Sequence, residues 1–90
     1  FNLVLKNSDD KLMGRLCAAL DANGVEYRRG SAGGGNQLRQ PYMKAYFGKD
    51  RGTEFPVTDH IHFYGMYIGN FPDLSAAEIS EIIDIVNSAV

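Results

Sequence analysis

Ninety residues suffice for one domain and fall short of two, and 44% apolar with 22% charged residues is the make-up of a folded chain rather than a disordered one. Nine Lys and Arg against eleven Asp and Glu leave a formal charge of −2, too balanced for nucleic acid or an anionic membrane as the main partner. Cys17 is the only cysteine. An intrachain disulfide is therefore excluded, a reducing cytoplasm is the simplest setting, and no apolar run reaches the length of a membrane-spanning helix.

Phe1-Asn2-Leu3-Val4-Leu5-Lys6 alternates as a half-buried strand does, with Phe1, Leu3 and Leu5 toward a core and Asn2 and Lys6 outward. An opening without methionine and inside a strand means either that a leader was removed or that this is a piece of a longer chain, and we expect the piece. Ser8 is placed to cap a helix, and Asp9 and Asp10 suit the positive end of its dipole. Leu12, Met13, Leu16, Cys17 and Leu20 then form one apolar stripe, and Asn23-Gly24 ends the helix. Val25 to Arg28 is a short second strand. A strand, a helix and a strand of these lengths suggest a right-handed crossover between two parallel strands.

Gly30 to Asn36, with its run Gly33-Gly34-Gly35, is expected to be a loop, because glycine loses the most backbone freedom on ordering. Gln37 to Phe47 can hold a short helix if Pro41 sits in its first turn. Gly48 to Pro56 is polar and glycine-containing, an exposed excursion. Thr58 to Tyr64 is open between a helical turn capped by Thr58 and an extended piece. Met66-Tyr67-Ile68, between Gly65 and Gly69, is the third strand. Ser75-Ala76-Ala77-Glu78 matches a capping box, and its helix carries Ile79, Ile82, Ile83, Val86 and Val90 on one face. The order predicts a single α+β domain over residues 1–90, a two-layer sandwich. Its small three-stranded sheet is βαββα-like, with the third strand antiparallel between the first two and the helices on one face.

Several side chains could carry chemistry. Asn36, Gln37, Arg39 and Gln40 follow the glycines directly, and Arg39 offers a planar fork to a carboxylate or phosphate. The alternative is an ordinary polar surface loop. Arg28 and Arg29 end the second strand on opposite sides, as solvated cations or with one reaching a ligand anion. His60 and His62 share a face only if extended; no third ligand stands at a convincing spacing, so no metal is expected. With Tyr64 they could line a pocket as proton donors, or simply be wet. Cys17, beside Leu16 and Leu20, is expected to be a buried and inert thiol. No Ser-His-Asp or paired-carboxylate arrangement is present, so no catalytic residue is assigned.

Three stretches together resemble one family. Gly24-Val25-Glu26-Tyr27-Arg28 resembles the "G-[IV]-E-x-R" stretch of the DegT/DnrJ/StrS family of pyridoxal-phosphate-dependent sugar aminotransferases and dehydratases. Gly35-Asn36-Gln37-Leu38-Arg39-Gln40-Pro41 is similar to its "G-N-x-x-[RK]-Q-P" stretch, found in members acting on 4-keto-6-deoxy nucleotide sugars, notably the 3-dehydratases. Asp59 to Asn70, then Pro72-Asp73-Leu74-Ser75, looks like the ending of that branch.

The resemblance covers nearly all of this chain and about the last quarter of a family member. It implies the small C-terminal domain of an aspartate-aminotransferase-like fold, closing over a site built mainly by an N-terminal large domain. It also implies a homodimer at full length, a nucleotide-sugar substrate, and a place in lipopolysaccharide biosynthesis. Pyridoxal 5'-phosphate is expected in the full-length enzyme and not on this segment, since neither the Schiff-base lysine nor the histidine that replaces it in dehydratases is in a matching context here. By position it gives substrate-facing roles to Arg28, Asn36, Arg39 and Gln40, and further to His60, His62 and Tyr64. Arg29, where proline commonly follows the arginine, and the triple glycine depart from the pattern. The rival expectations are a stand-alone ligand-binding module and an oligomerisation domain.

Overall fold

The central strand, β3 (Gly65–Ile68), lies between β1 (Asn2–Val4) and β2 (Tyr27–Arg29) and runs antiparallel to both. The computed structural model describes residues 1–33 and 35–90. Leu3 and Arg29 stand opposite Met66, while Asn2 and Arg28 stand opposite Tyr67. Because side chains alternate along a strand, Met66 and Ile68 face one layer and are buried, whereas Tyr67 is 42% exposed on the other face. The expected antiparallel placement of the third strand is found. The strands are short: β1 keeps three of the six alternating residues, β2 begins two residues later than expected and ends one later at Arg29, and β3 begins one residue earlier at Gly65.

Two helices supply the buried layer, α1 (Asp10–Ala22) and α4 (Ala76–Ser88), which pack on each other. Met13, Leu16 and Leu20 of α1 meet Met66, Ile68, Ile85 and Ala89 in the core, and Leu20 is wholly inaccessible. Cys17 is half-buried at the margin of this layer. The start of α1 is capped by Asp9, which accepts the Leu12 N–H at 2.9 Å, and not by Ser8. Asp9 is the residue that turns extended (φ −122°) just before the helix. Gly24 takes the left-handed conformation that ends it, at φ +68°. The capping box of α4 is formed: Ser75 accepts the Glu78 N–H at 3.1 Å, and Glu78 accepts the Ser75 N–H at 2.8 Å.

The apolar face of α4 lies about one residue away from the expected stripe. Ile85 and Ala89 are buried, Ile82 and Val86 flank them, and Ile83 and Val90 stand in solvent. Spacings of three, four and seven from Ile82 meet α1, which leaves Ile79 and Ile83 beside Phe1 and Leu3 along a shallow apolar groove.

Between β2 and β3 the chain is more helical than expected. A 3-10 turn spans Gly30–Gly33 where a loop was expected; Gly34 lies outside the described residues. Pro41 divides the next segment into a 3-10 turn, Gln37–Arg39, and α2 (Pro41–Phe47), of which it is the first residue. Proline lacks an N–H, which a first helical turn does not need. A further 3-10 turn, Gly52–Glu54, buries Gly52 in what was expected to be an exposed excursion. The ambiguous Thr58–Tyr64 piece is a helix, α3 (Pro56–Tyr64), opened by Pro56 and not capped by Thr58, and it runs straight into β3. Leu5 joins it to the sheet by donating its N–H to the Tyr64 carbonyl at 2.9 Å.

The shifted face of α4 has a measurable consequence. Ile85→Ala is expected to lower unfolding free energy by about 2–5 kcal/mol, as core truncations do, and Ile83→Ala by less than about 1 kcal/mol, as surface changes do. Equal losses in urea denaturation would contradict this packing.

Candidate functional site

The helical geometry of α3 decides what meets what. Asp59, His62 and Phe63 stand three and four residues apart and share one face, while His60 points elsewhere. His60 donates from Nε2 to the Leu5 carbonyl at 2.6 Å, with Ser8 Oγ 3.5 Å from its other nitrogen. The two histidines therefore offer no common metal face, and among the described residues no group of three or more His, Cys, Asp or Glu could hold a metal ion.

Onto the Asp59 face comes the segment after the glycines. Arg39 grips the Asp59 carboxylate in the bidentate manner of a guanidinium fork: Nη2 donates to Oδ2 at 2.7 Å and Nε donates to Oδ1. Nη1 reaches Asp50 Oδ2 at 3.2 Å, and the guanidinium carbon lies 4.9 Å from the centre of the Phe63 ring. Asn36 is 2% exposed, so its polar atoms need partners inside the protein. It has them. Nδ2 donates to the Gly52 carbonyl at 3.0 Å and to Asp59 Oδ1 at 3.3 Å, and Oδ1 accepts the Leu38 N–H at 3.1 Å. Its backbone N–H donates to His62 Nδ1 at 2.9 Å.

Two glycines make this approach possible. Gly35 has φ +51°, and a Cβ there would meet the Gly30 carbonyl at 2.7 Å and press on His62. At Gly52 a Cβ would stand 2.6 Å from the Arg39 side chain. Asp50 secures that turn by accepting the Gly52 N–H at 2.8 Å.

The electrostatics follow the contacts. The Arg39 hydrogen bonds, aided by Asn36 and opposed by burial, hold the Asp59 carboxyl below its ordinary range, and Asp59 in turn raises Arg39. Asp50 is lowered first by its bond from the Gly52 backbone, then by the Lys44 and Arg39 charges. The Tyr64 hydroxyl is raised chiefly by its bond to Asp10.

Of the expected site residues, Asn36, Arg39 and His62 thus meet in one cluster. The Arg39 fork is filled by a carboxylate of the protein itself, so an incoming anion has to compete with Asp59. Gln40, partly buried where the 3-10 turn passes into α2, has no side-chain hydrogen bond to the described residues. Arg28 lies on the open face of the sheet, paired with Glu26 at 2.8 Å, both side chains more than half exposed. It reaches toward the cluster only across a cleft of about 320 Å³ that Gly30, Gly35, Ile61 and Tyr67 help to line. Tyr64 donates to Asp10 at 2.9 Å, on the side of α1. Arg29 turns beneath the sheet, donating to the Phe63 carbonyl at 2.6 Å and lying 3.6 Å from Cys17 Sγ. Sequence reasoning passed over Asp59, Asp50 and Gly52 as site residues. Asp59 and His62, three apart, become a signal only once that stretch is known to be helical.

The Lys44 ammonium lies 3.6 Å from Asp50 at the surface, and the Arg39 guanidinium is engaged by the Asp59 carboxylate. No family model, no curated protein and no solved structure matches this chain.

The depressed Asp59 carboxyl fixes the sign of a pH effect. Its ionised form stabilises the fold above about pH 4, the unfolded value, and that contribution is lost as pH falls through the lower folded value. Asp59→Asn should cost roughly 1–3 kcal/mol near neutrality, and the gap to the parent should narrow in urea melts toward pH 3. A gap independent of pH would show that the pair contributes little. Gly35→Ala should destabilise by at least about 1 kcal/mol from its left-handed backbone alone, measured in the same way.

Proposed function

We propose that this chain is the substrate-closing C-terminal domain of a pyridoxal-phosphate-dependent enzyme of the DegT/DnrJ/StrS type. The enzyme would be a sugar aminotransferase or 3-dehydratase acting on a 4-keto-6-deoxy nucleotide sugar, and the domain would have the small-domain fold of an aspartate-aminotransferase-like protein. One observation carries the proposal. Asn36 and Arg39 of the second resembling stretch converge with Asp59 and His62 of the third, across 20 and more residues of chain.

The chemistry divides accordingly. The cofactor, held by the large domain, supplies the electron sink. This chain binds, orients and excludes water. Arg39, Asn36 and His62 hold the glycine-rich turn against α3, while Gln40 and Arg28 face the ligand. The Gln40 amide has no hydrogen bond to the described residues, and the exposed Arg28–Glu26 pair is weak enough for a substrate phosphate to replace Glu26. Tyr64, engaged by Asp10, contributes from the far end of α3. The partners on this proposal are the nucleotide sugar, the N-terminal large domain, and a second subunit.

A protein extended N-terminally through the large domain should bind pyridoxal phosphate, with absorbance near the visible edge, whereas these ninety residues should not. In the extended protein, Gln40→Ala and Arg28→Ala should each weaken nucleotide-sugar binding by roughly five-fold, the worth of about one hydrogen bond. Tight cofactor binding by the ninety residues alone, or unaltered sugar affinity in both variants, would contradict the proposal.

A further inference from the structure

The bond from the Asn36 N–H to His62 Nδ1, 2.9 Å long, has a property that the rest of the cluster lacks. A backbone N–H can only donate, so Nδ1 must present a lone pair and the ring proton must sit on Nε2. A ring protonated on both nitrogens has no acceptor left. Histidine is the side chain that takes up its second proton within about pH 5 to 8. The other contacts holding this turn do not share that sensitivity, because Asp59 stays ionised well below that range and Arg39 stays charged throughout.

We propose that His62 is a pH-operated latch for the glycine-rich turn between β2 and α2. With the ring neutral, Nδ1 pins the Asn36 backbone to α3. When the ring gains its second proton, two N–H groups face each other and the pin is lost. The surroundings give the charged ring somewhere to go. Asp59 stands one turn earlier on the same face of α3, so the imidazolium turns from Asn36 toward that carboxylate.

The charged groups around the ring are few. On α3 they are Asp59, with His60 directed away to Leu5; from the Gln37–Arg39 turn, Arg39; behind it, Asp50; and from β2, Arg29, bonded to the Phe63 carbonyl. Gly30 and Gly35, against the ring, carry no charge and permit the close approach. The Asn36 side chain keeps its bonds to Gly52 and Asp59, so the latch frees the Gly35–Asn36 backbone from α3 and leaves the Arg39–Asp59 brace in place. None of this depends on which ligand the turn serves.

The test is a pH titration by NMR of the His62 ring together with hydrogen-exchange protection of the Asn36 amide. Protection should fall by roughly ten-fold or more as the ring protonates, since one backbone bond is lost. In His62→Asn, Oδ1 replaces Nδ1 as an acceptor at every pH, and the pH response should vanish while protection persists. His60→Gln should leave it intact. Constant Asn36 protection across the His62 titration, or the same pH response in His62→Asn, would overturn the latch. The first measurement needs no variant, so a folding defect in either substitution leaves it decisive.

Discussion

The bidentate contact between Arg39 and Asp59 is the constraint on which the upper half of this small domain depends. A partly buried ion pair is only worth keeping where hydrogen bonds satisfy its remaining atoms. Here Asn36, Asp50 and the Phe63 ring complete the enclosure around it. Among the described residues, the segment from Gly30 to Phe55 has no strand and one short α-helix, of which no residue is buried. It cannot be held by an apolar core. It is held instead by a polar knot tied to α3, and α3 is continuous with the central strand. The knot thereby takes its position from the sheet, and the glycine turn from the knot.

Below that knot the domain stands on ordinary hydrophobic grounds. Three strands of three or four residues would be marginal by themselves. Packing Met66 and Ile68 beneath α1 and α4 removes the apolar faces of all three elements from water at once. The other face of the sheet, with Asn2, Val4, Arg28 and Tyr67, borders an open cleft that Ile61 of α3 helps to line. That asymmetry leaves Arg28 in the open while its neighbour Arg29 is drawn under the sheet toward Phe63 and Cys17.

Much of this was legible in the residues. Ser75 to Glu78 announced α4 because a capping box is local, and Gly24 closed α1 for the same reason. The antiparallel third strand followed from where the apolar stripes had to be buried. What was not legible had non-local causes. Asp9 displaced Ser8 as a cap because the chain turns at Asp9. Ile85 rather than Ile83 faces inward because α1 fixes the roll of α4, which no window of α4 records. The stretch from Thr58 to Tyr64 looked equally suited to either conformation, and its helical outcome alone brings Asp59 and His62 onto one face. Asn36 and Arg39 were picked out as polar groups after a hinge, on grounds of ligand binding. Their partners Asp59 and Gly52 could not be foreseen without the fold.

On the proposed function this domain meets substrate at Gln40, Arg28 and the turn that the knot holds in place, with the reacting groups supplied from outside it. Mapping backbone amide shifts of the N-terminally extended protein with a 4-keto-6-deoxy nucleoside-diphosphate sugar tests this most directly. Within this domain the shifts should gather at Arg28, at residues 35–40, and at Asp59 and His62. Shifts confined to the groove between β1 and α4, or none at saturating sugar, would contradict it.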